Sequence, residues 1–269
     1  MQLRIAGHSV YAATGGRPFD AGKPAMLFLH GAGQDHTVWQ PPARYFAWHG
    51  YGVLAVDLPG HGRSEGPALE TIPEAAHFVG QLMDAAGIDE AALVGHSMGA
   101  AVAIEAAAAL KTRISRVALF GVGSAMPVNE TLLTCAQDDA ISAYQMIVGW
   151  GHGPRAKVGG NSAPGLWMVG GSMALLLRNR PGVLRSDLEA CNRWTSGPPS
   201  AQQVRCPALV VIGAMDAMTP PKSGQALARH LALSRTLTIE EAGHMLMVEA
   251  PDPTLDALIE FFAAAPPAP

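Results

Sequence analysis

The sequence has little charge, few cysteines and no long apolar run. Only 15% of its 269 residues are charged, and 18 basic against 22 acidic side chains leave a net charge of −4. A chain without a strongly basic surface is poorly suited to a phosphate backbone, so we do not expect nucleic-acid binding. Its three cysteines, Cys135, Cys191 and Cys206, are widely spaced and form no C-x-x-C pair. This pattern predicts neither a disulfide framework nor a zinc site.

No segment resembles a secretory leader or a membrane span. Residues 1–11 contain no basic stretch followed by a continuous apolar run. Nowhere do about 18 apolar residues follow one another, which is the length that a membrane-spanning helix needs. We therefore expect a soluble cytoplasmic protein without a membrane partner.

The sequence does contain a repeated alternation of short apolar runs with alanine-rich helical patterns. The runs are apolar on both faces, as buried parallel strands must be. We predict such strands at 26–29, 53–56, 92–94, 117–120, 209–212 and 236–239, with one or two antiparallel edge strands in 3–13. We predict helices at 42–48, 74–86, 98–110, 225–231 and 253–263. The alternation predicts an α/β fold with a mainly parallel central sheet flanked by helices.

The alternation stops between the strand at 117–120 and the strand at 209–212, over a distance too long for a plain loop. We predict a helical cap inserted here, residues 124–205, in a core formed by 1–123 and 206–269. Its helical patterns lie near 132–148, 166–177 and 183–194. Glycine-rich links separate them and favour segments that can move. The tail 264–269, rich in Pro and Ala, is expected to fray.

The segment Gly95-His96-Ser97-Met98-Gly99 follows a predicted strand and opens a predicted helix. It matches the G-x-S-x-G nucleophile elbow, in which flanking glycines let the backbone approach a strained Ser closely. The helix start directs its free N–H groups towards an oxyanion formed beside Ser97. A second match at 62–66 places Ser64 in a Gly/Pro loop without a following helix. We expect Ser64 to have a structural role in that turn.

A nucleophilic Ser needs a base, and the base needs a carboxylate that fixes its tautomer. Asp216 and His244 each follow a predicted strand, at the edge of the sheet where open α/β folds gather catalytic groups. Taken alone, Asp216 would more often be a residue that caps a turn, and His244 a loop histidine bonded to backbone. Because the order Ser97, Asp216, His244 is the one expected on such a sheet, we predict a catalytic triad.

The turn His30-Gly31-Ala32-Gly33 follows the first central strand. Acyl transfer needs two N–H donors directed at the developing oxyanion, and one usually belongs to the residue after the nucleophile. We predict that the amides of Ala32 and Met98 form this oxyanion hole. The alternative is that 30–33 is only a tight turn.

In these motifs the chain resembles the α/β-hydrolase fold superfamily, in its branch of small capped serine esterases, lactonases and carbon–carbon bond hydrolases. The segments that carry the resemblance are 30–33, 57–64, 95–99, 213–216 and 243–244. The resemblance implies attack by Ser97 on a carbonyl, with His244 as base and then acid, Asp216 as its orienter, and hydrolysis of the acyl-enzyme by water. It also implies that the chain neither opens epoxides nor removes halides, since relatives that do so carry Asp in place of Ser97. Carbon–carbon hydrolases of ring-fission dienols usually have Asn and Ser where this chain has His96 and Ala32.

The predicted cap would form the roof of the substrate pocket. The candidates for the pocket lining are His30, Met98, Trp150, Trp167, Met168, Trp194, Met218 and Met245. Met and Trp at helical spacing also pack in ordinary cores, which is the alternative for each of them. A pocket lined in this way would prefer an apolar, uncharged substrate. Arg155 and Lys157 are expected to face solvent rather than to hold an anion.

Three functions are consistent with these residues. The leading hypothesis is a carboxylic-ester hydrolase that acts on a small-molecule ester and uses neither a cofactor nor a metal. The second is a carbon–carbon bond hydrolase or lactonase with the same triad. The third is a ligand-binding receptor or scaffold, which sustained turnover would distinguish from an enzyme. The sequence does not determine the oligomeric state.

Overall fold

A computed structural model describes residues 1–137, 141–160 and 166–263 of the chain. These residues form one eight-stranded sheet in the order β1-β2-β4-β3-β5-β6-β7-β8. The strands are β1 (Gln2–Ile5), β2 (His8–Ala13), β3 (Ala25–Leu29), β4 (Gly52–Val56), β5 (Ala91–His96), β6 (Ile114–Phe120), β7 (Ala208–Gly213) and β8 (Ser234–Ile239). Strands β1, β2 and β4 pair antiparallel, and all other neighbours pair parallel. The prediction for the tail 264–269 lies outside the described residues.

Helices cover both faces of the sheet. Those of the sheet region are α1 (Gln40–Trp48), α2 (Ile72–Ala86), α3 (Met98–Leu110), α10 (Pro221–Ala228), α11 (Leu246–Glu249) and α12 (Pro251–Ala263). The predicted α/β fold with a mainly parallel sheet flanked by helices is confirmed. Among the described helices, none combines the length and the hydropathy needed to cross a bilayer.

Alternate residues of the central strands face two separate apolar clusters, as the two-residue period of a strand requires. In β3, Leu27 and Leu29 pack with helices α2 and α3, while Met26 and Phe28 pack on the other face with Trp39 and the α1 and α12 aromatics. Helix α3 is almost entirely buried and consists largely of Ala, which lets it lie close against β5 and β6. Apolar packing on both faces of β5 therefore fixes the position of the turn between β5 and α3.

Strand β8 differs from the expectation that its two faces are both apolar and buried. Residues 235–238 are exposed, and only the two ends of the strand are half-buried. The physical reason is its position: β8 pairs with β7 alone and lies at the edge of the sheet. Side chains stand on the two faces of a strand, so an edge strand that the helices cover little, here mainly with α10, leaves them in solvent.

Residues 121–207, which we call the insert, connect β6 to β7 and carry six helices within the described residues. They are α4 (Glu130–Gln137), α5 (Ile141–Gly151), α6 (Pro154–Lys157), α7 (Met168–Leu176), α8 (Val183–Arg193) and α9 (Gly197–Ala201). The helical stretch expected near 132–148 corresponds to two described helices, α4 and α5, which pack against each other. Its residues 138–140 lie outside the described residues. An apolar cluster of its own joins α4, α5, α7 and α8.

Candidate active site

Ser97 occupies the sharp turn between β5 and α3. Its backbone lies at φ +52° and ψ −116°, a region that a residue with a Cβ enters only at a cost. The Ser97 amide donates a hydrogen bond to the carbonyl oxygen of Phe120, at 2.8 Å. A Cβ on Gly95 or on Gly99 would overlap backbone atoms of neighbouring segments. Glycine at both positions is therefore what allows the chain to turn here and present Ser97.

His244 and Asp216 form a buried hydrogen-bonded pair. Nδ1 of His244 lies 2.8 Å from Oδ2 of Asp216, and both side chains are almost completely buried. The other oxygen of Asp216 accepts hydrogen bonds from the amides of Met218 and Thr219, at 2.9 and 2.8 Å. Because a carboxylate oxygen only accepts, the proton of a neutral His244 sits on Nδ1, and Nε2 is left as a base.

Ser97 and His244 line the same cavity. Within the described structure, the Ser97 hydroxyl makes no hydrogen bond with the His244 ring. Such contacts are often long before a substrate is bound and shorten in the complex. The structure thus brings all three predicted triad residues to one end of the sheet, with the Asp216–His244 contact already formed.

The two predicted oxyanion donors also belong to this region. Ala32 lines the cavity, and Met98 begins helix α3 directly after Ser97. In the part of the chain that the structure describes, neither amide donates a hydrogen bond to a protein acceptor. Amides at a helix start and in a glycine-rich turn are free in this way to bind an anion.

Gln34 and His96 connect the parts of the site. Oε1 of Gln34 accepts a hydrogen bond from the amide of Gly31 at 3.0 Å and lies 3.1 Å from Nδ1 of His96. Nε2 of His96 lies 2.9 Å from the carbonyl oxygen of His244. Burial, reinforced by the nearby His244 ring, lowers the pKa of His96 well below its usual value, so the ring is neutral. The sequence placed His96 at the elbow but gave no sign of Gln34.

The insert holds the turn that carries Ala32. The amide of Gly33 donates to Oδ2 of Asp187, at 2.8 Å, and Nδ2 of Asn179 donates to the carbonyl oxygen of Gly33, at 2.6 Å. The same oxygen of Asp187 lies 2.7 Å from Nε2 of His61. No sequence pattern links residue 187 to residue 33, and sequence reasoning missed Asp187 and Asn179 for that reason.

The buried contact with Asp187 changes the pKa of His61. Burial by itself lowers the pKa of His61, but the charge of Asp187 and its hydrogen bond outweigh burial, and the net pKa is raised above the usual value. The neighbouring His30 behaves in the opposite way. Burial and the charge of His61 lower the pKa of His30 to about 4. Protonation in this cluster therefore falls on His61.

The insert also contacts the loop that carries His244. The carbonyl oxygen of Gly151, at the end of α5, accepts hydrogen bonds from the amides of His244 and Met245, at 3.0 and 3.1 Å. Glu249 bridges the same two segments, since it accepts from Gly153 at 2.8 Å and from Met245 at 3.1 Å. The insert therefore forms hydrogen bonds with two loops beside Ser97, the turn 30–33 and the loop that carries His244.

The cavity around Ser97 is mostly apolar. Its described lining consists of Ala32, Gln34, His96, Ser97, Ile147, Val148, Gly151, His152, Ser172, Leu175, Leu176, Leu188, Met218, His244 and Met245. The set includes the predicted Met218 and Met245. None of these described side chains is an Asp, Glu, Lys or Arg.

The other predicted pocket residues lie elsewhere, and this corrects the expectation. Trp150 and Trp167 are exposed to 38% and 74%, on the outside of the insert. Met168 lines a different groove, beside Arg155 and Glu241, and Met98 packs in the core of the sheet. Met and Trp at helical spacing show only that a face is apolar, not which cavity it meets.

Two further predicted pocket residues serve the core instead. Nε1 of Trp194 donates to the carboxylate of Glu105, at 2.7 Å. Nδ1 of His30 lies 2.8 Å from the carbonyl oxygen of Gly31, and its Nε2 accepts from the amide of Leu58 at 3.1 Å. Both rings are fully engaged with protein groups and do not line the cavity.

Ser64, the alternative motif match, is completely buried away from this cavity. Its hydroxyl donates to the carbonyl oxygen of Asp57 at 2.6 Å and accepts from the amide of Tyr11 at 2.9 Å. These two bonds tie the 57–66 loop to strand β2. The placement matches the structural role expected for Ser64.

Within the described residues, one group of side chains has the spacing of a metal site. Asp35, His36 and Asp57 bring potential ligand atoms within 4.8 Å of one another. The Asp57 oxygens accept hydrogen bonds from the amides of His36 and Arg63 and contact the His36 ring. Asp35 pairs with Arg178 at 2.9 Å. The acidic oxygens are thus engaged in protein contacts that hold this loop.

Comparison with known proteins agrees with this architecture. A profile of the alpha/beta hydrolase family matches residues 26–257. Over 111 residues the chain is 42% identical to the dihydrolipoyllysine-residue acetyltransferase component of an acetoin cleaving system from Cupriavidus necator, a match that covers 40% of this chain and 28% of that protein. It is 23% identical over 252 residues to an (E)-2-((N-methylformamido)methylene)succinate hydrolase from Acinetobacter baylyi, covering 91% of this chain and 92% of that one.

A solved structure shows the same fold over the whole length. The enol-lactonase from Burkholderia xenovorans superposes with a TM-score of 0.85 at 23% identity, covering 98% of this chain and all of that one. At this identity the likeness establishes the fold and not the substrate.

Proposed function

The chain belongs to the alpha/beta hydrolase family, and we propose that it is a serine hydrolase that cleaves a small, uncharged carboxylic ester through an acyl-enzyme. One observation carries the proposal. Ser97, on a strained elbow, shares a cavity with a His244 whose Nδ1 is held 2.8 Å from the Asp216 carboxylate. This arrangement supplies a nucleophile, a base and an orienter at one place.

The reaction follows from the proton positions. Nε2 of His244 takes the proton of the Ser97 hydroxyl as the oxygen attacks the ester carbonyl. The amides of Ala32 and Met98 bind the oxyanion that forms. His244 then gives its proton to the leaving alcohol, and the acyl group stays on Ser97. Water, activated by the same ring, releases the acid and restores the enzyme.

The cavity lining supports an uncharged substrate. Among the described lining residues there is no cation to hold a carboxylate and no carboxylate to hold an amine. The helices of the insert close the site on the side opposite the sheet and, in this proposal, act as its cap. The apolar surface they present favours aliphatic or aromatic groups on either side of the ester.

A lactone is an ester whose alcohol remains tethered to the acid, so the same residues would open one by the same steps. A carbon–carbon bond hydrolase is less well supported, because His96 and Ala32 differ from the residues usual in such enzymes. A binding protein with the same three residues would show no sustained turnover, which distinguishes it from the proposed hydrolase.

The test is steady-state hydrolysis of p-nitrophenyl esters from acetate to octanoate by the purified protein. We expect sustained turnover that falls about 1000-fold or more in Ser97→Ala, because triad residues act as a unit. A fluorophosphonate probe should label the parent at Ser97, as located by peptide mass spectrometry, and should leave Ser97→Ala unlabelled. A folded parent that hydrolyses none of these esters, nor simple lactones, and takes up no probe would overturn the proposal.

A further inference from the structure

Two polar side chains of the insert, His152 and Ser172, face the cavity and have no part in the proposed reaction. Both line it together with Ser97 and His244. The lining around them is aliphatic, with Val148 and Leu175 among the neighbouring residues. His152 is buried and Ser172 is half-buried. A polar group in an apolar wall is costly unless it is hydrogen-bonded, so the partners of these two residues define what the wall can bind.

The contacts of His152 determine where its proton lies. Nδ1 is 3.0 Å from the carbonyl oxygen of Val148, one helical turn earlier, and Nε2 is 3.1 Å from Oγ of Ser172. A carbonyl oxygen can only accept, so Nδ1 carries the proton. Burial lowers the pKa of His152, although Glu249 nearby opposes this effect, and the ring is neutral. Nε2 is therefore an acceptor.

An accepting Nε2 determines the direction of the Ser172 hydroxyl. The hydroxyl has a single proton, and that proton is donated to His152. What Ser172 can offer to a bound molecule is then the lone pairs of Oγ. The pair presents a hydrogen-bond acceptor to the cavity rather than a donor.

The acceptor atoms of the remaining polar side chains of the lining already face protein groups. Gln34 accepts from Gly31 through Oε1 and donates to the sulfur of Met245 through Nε2, at 3.2 Å. His96 is held by the carbonyl oxygen of His244. Ser97 and His244 are assigned to the reaction. The second N–H of Gln34 Nε2 is a donor, so Ser172 is the side chain of the described lining that is left to accept a hydrogen bond from the substrate.

We propose that Ser172, oriented by His152, is a binding subsite for a hydrogen-bond donor of the substrate, an amide N–H or a hydroxyl carried away from the scissile ester. The inference rests on the proposed hydrolase function and narrows its substrate class. Substrates with a carboxylate at this position are disfavoured, since a carboxylate can only accept. An ester or lactone with an N-acyl or hydroxyl substituent fits the subsite.

The test compares pairs of esters that differ only in the donor. On the acyl side, p-nitrophenyl N-acetylglycinate is paired with p-nitrophenyl 4-oxopentanoate, in which CH₂ replaces N–H. Longer members carry the amide one or two carbons further from the ester. On the alcohol side, the butyrate of N-acetylethanolamine is paired with the butyrate of 5-hydroxypentan-2-one. The ratio of kcat/KM within each pair cancels any difference in active-enzyme concentration.

We expect the parent to prefer the amide in at least one pair by about tenfold, the worth of one hydrogen bond. In Ser172→Ala this ratio should fall about tenfold from its value in the parent, whereas Ser172→Thr, which keeps the hydroxyl, should retain the preference. Ala is a good helix former, so folding of the Ala variant in α7 is not at risk. The subsite is refuted if the parent hydrolyses both members of every pair equally, or if the preference survives in Ser172→Ala. A folded parent that hydrolyses none of these esters, nor p-nitrophenyl butyrate, nor simple lactones, and that takes up no fluorophosphonate probe, would instead refute the hydrolase function itself.

Discussion

Oδ2 of Asp187, on helix α8 of the insert, lies 2.7 Å from Nε2 of His61 and 2.8 Å from the amide nitrogen of Gly33. His61 belongs to the loop after β4, and Gly33 directly follows Ala32, a proposed oxyanion donor. One buried carboxylate therefore connects the insert to the backbone that would bind the transition state. A change at Asp187 should be felt both in stability and in catalysis.

Replacing Asp187 by Ala should lower the free energy of unfolding by about 3–5 kcal/mol, because a buried partner is left without its counter-charge. We also expect kcat to fall more than KM rises, since the Ala32 amide loses its support while the apolar pocket remains. Asp187→Asn keeps an oxygen acceptor for Gly33 and should retain much of kcat. Urea unfolding and ester kinetics measure both effects.

A control for this change lies on the same helix. Glu189 pairs with Arg185 at 2.8 Å on the surface of α8. Glu189→Ala should change the unfolding free energy by no more than about 0.5 kcal/mol, as for other exposed helical pairs. Equal losses in the Asp187 and Glu189 variants would contradict the role given to Asp187.

The His61–Asp187 pair also predicts how stability depends on pH. Because the folded protein raises the pKa of His61, protonated His61 stabilises the fold fully below its unfolded pKa of about 6.5. This stabilisation is lost as the pH rises through the raised value. The difference in unfolding free energy between the parent and Asp187→Asn should therefore be larger at pH 6 than at pH 9.5. Denaturant titrations at the two pH values test this, and a constant difference would show that the charge of His61 does not change between them.

Ser64 and Ser97 both satisfy the nucleophile motif, and their substitutions should have opposite effects. Ser64→Ala removes the bonds to Asp57 and Tyr11 and should cost about 1–3 kcal/mol of stability. Below its melting temperature it should keep most of its activity, whereas Ser97→Ala stays stable and loses turnover. Thermal unfolding and ester assays on the same preparations provide the comparison. If Ser64→Ala were stable but inactive, Ser97 would be the wrong choice of nucleophile.

Gly99 is required where α3 passes close to another strand end. A Cβ at this position would lie 2.6 Å from the carbonyl oxygen of His30, and backbone cannot yield as a flexible side chain does. Gly99→Ala should cost about 1–3 kcal/mol and reduce kcat, because the elbow beside it must shift.

Gly149 provides the matched control. It lies in helix α5 with open space where a Cβ would be, so Gly149→Ala should stabilise the protein by about 0.5–1 kcal/mol. Melting temperatures of the two variants should thus move in opposite directions. A shift of the same sign in both would contradict the packing described at the elbow.

Two of the three cysteines should be unreactive in the folded protein. Burial raises the pKa of the Cys206 thiol to about 11 and raises that of Cys191 further. Since the thiolate is the reactive form, iodoacetamide at pH 8 should label neither residue within the time that labels free cysteine. Mass spectrometry should show that both thiols are labelled in urea-unfolded protein and remain unlabelled in the native protein. Labelling only after unfolding shows that the fold protects them. Rapid labelling of Cys206 in the native state would argue against its burial.

The sequence by itself determined the sheet and the elbow, because both depend on short-range patterns. Apolar runs such as 26–29 can only be buried strands when helical patterns lie between them. The glycines around Ser97 mark a turn that other residues could not form. Even the placement of Asp216 and His244 at the same end of the sheet follows from a general property, since parallel strands all end at one edge.

Only the tertiary structure decided what surrounds the elbow. Asp187 forms a hydrogen bond with Gly33, and Ser172 forms one with His152. In each pair the two residues lie far apart in the sequence, and no local pattern predicts that they are in contact. Trp150 and Trp167 look like pocket residues in the sequence, yet they lie on the outer face of the insert. Hydrophobicity is non-directional, so an apolar residue can satisfy its burial in many places. Hydrogen-bond geometry admits far fewer arrangements, and those exist only once the insert has packed against the core.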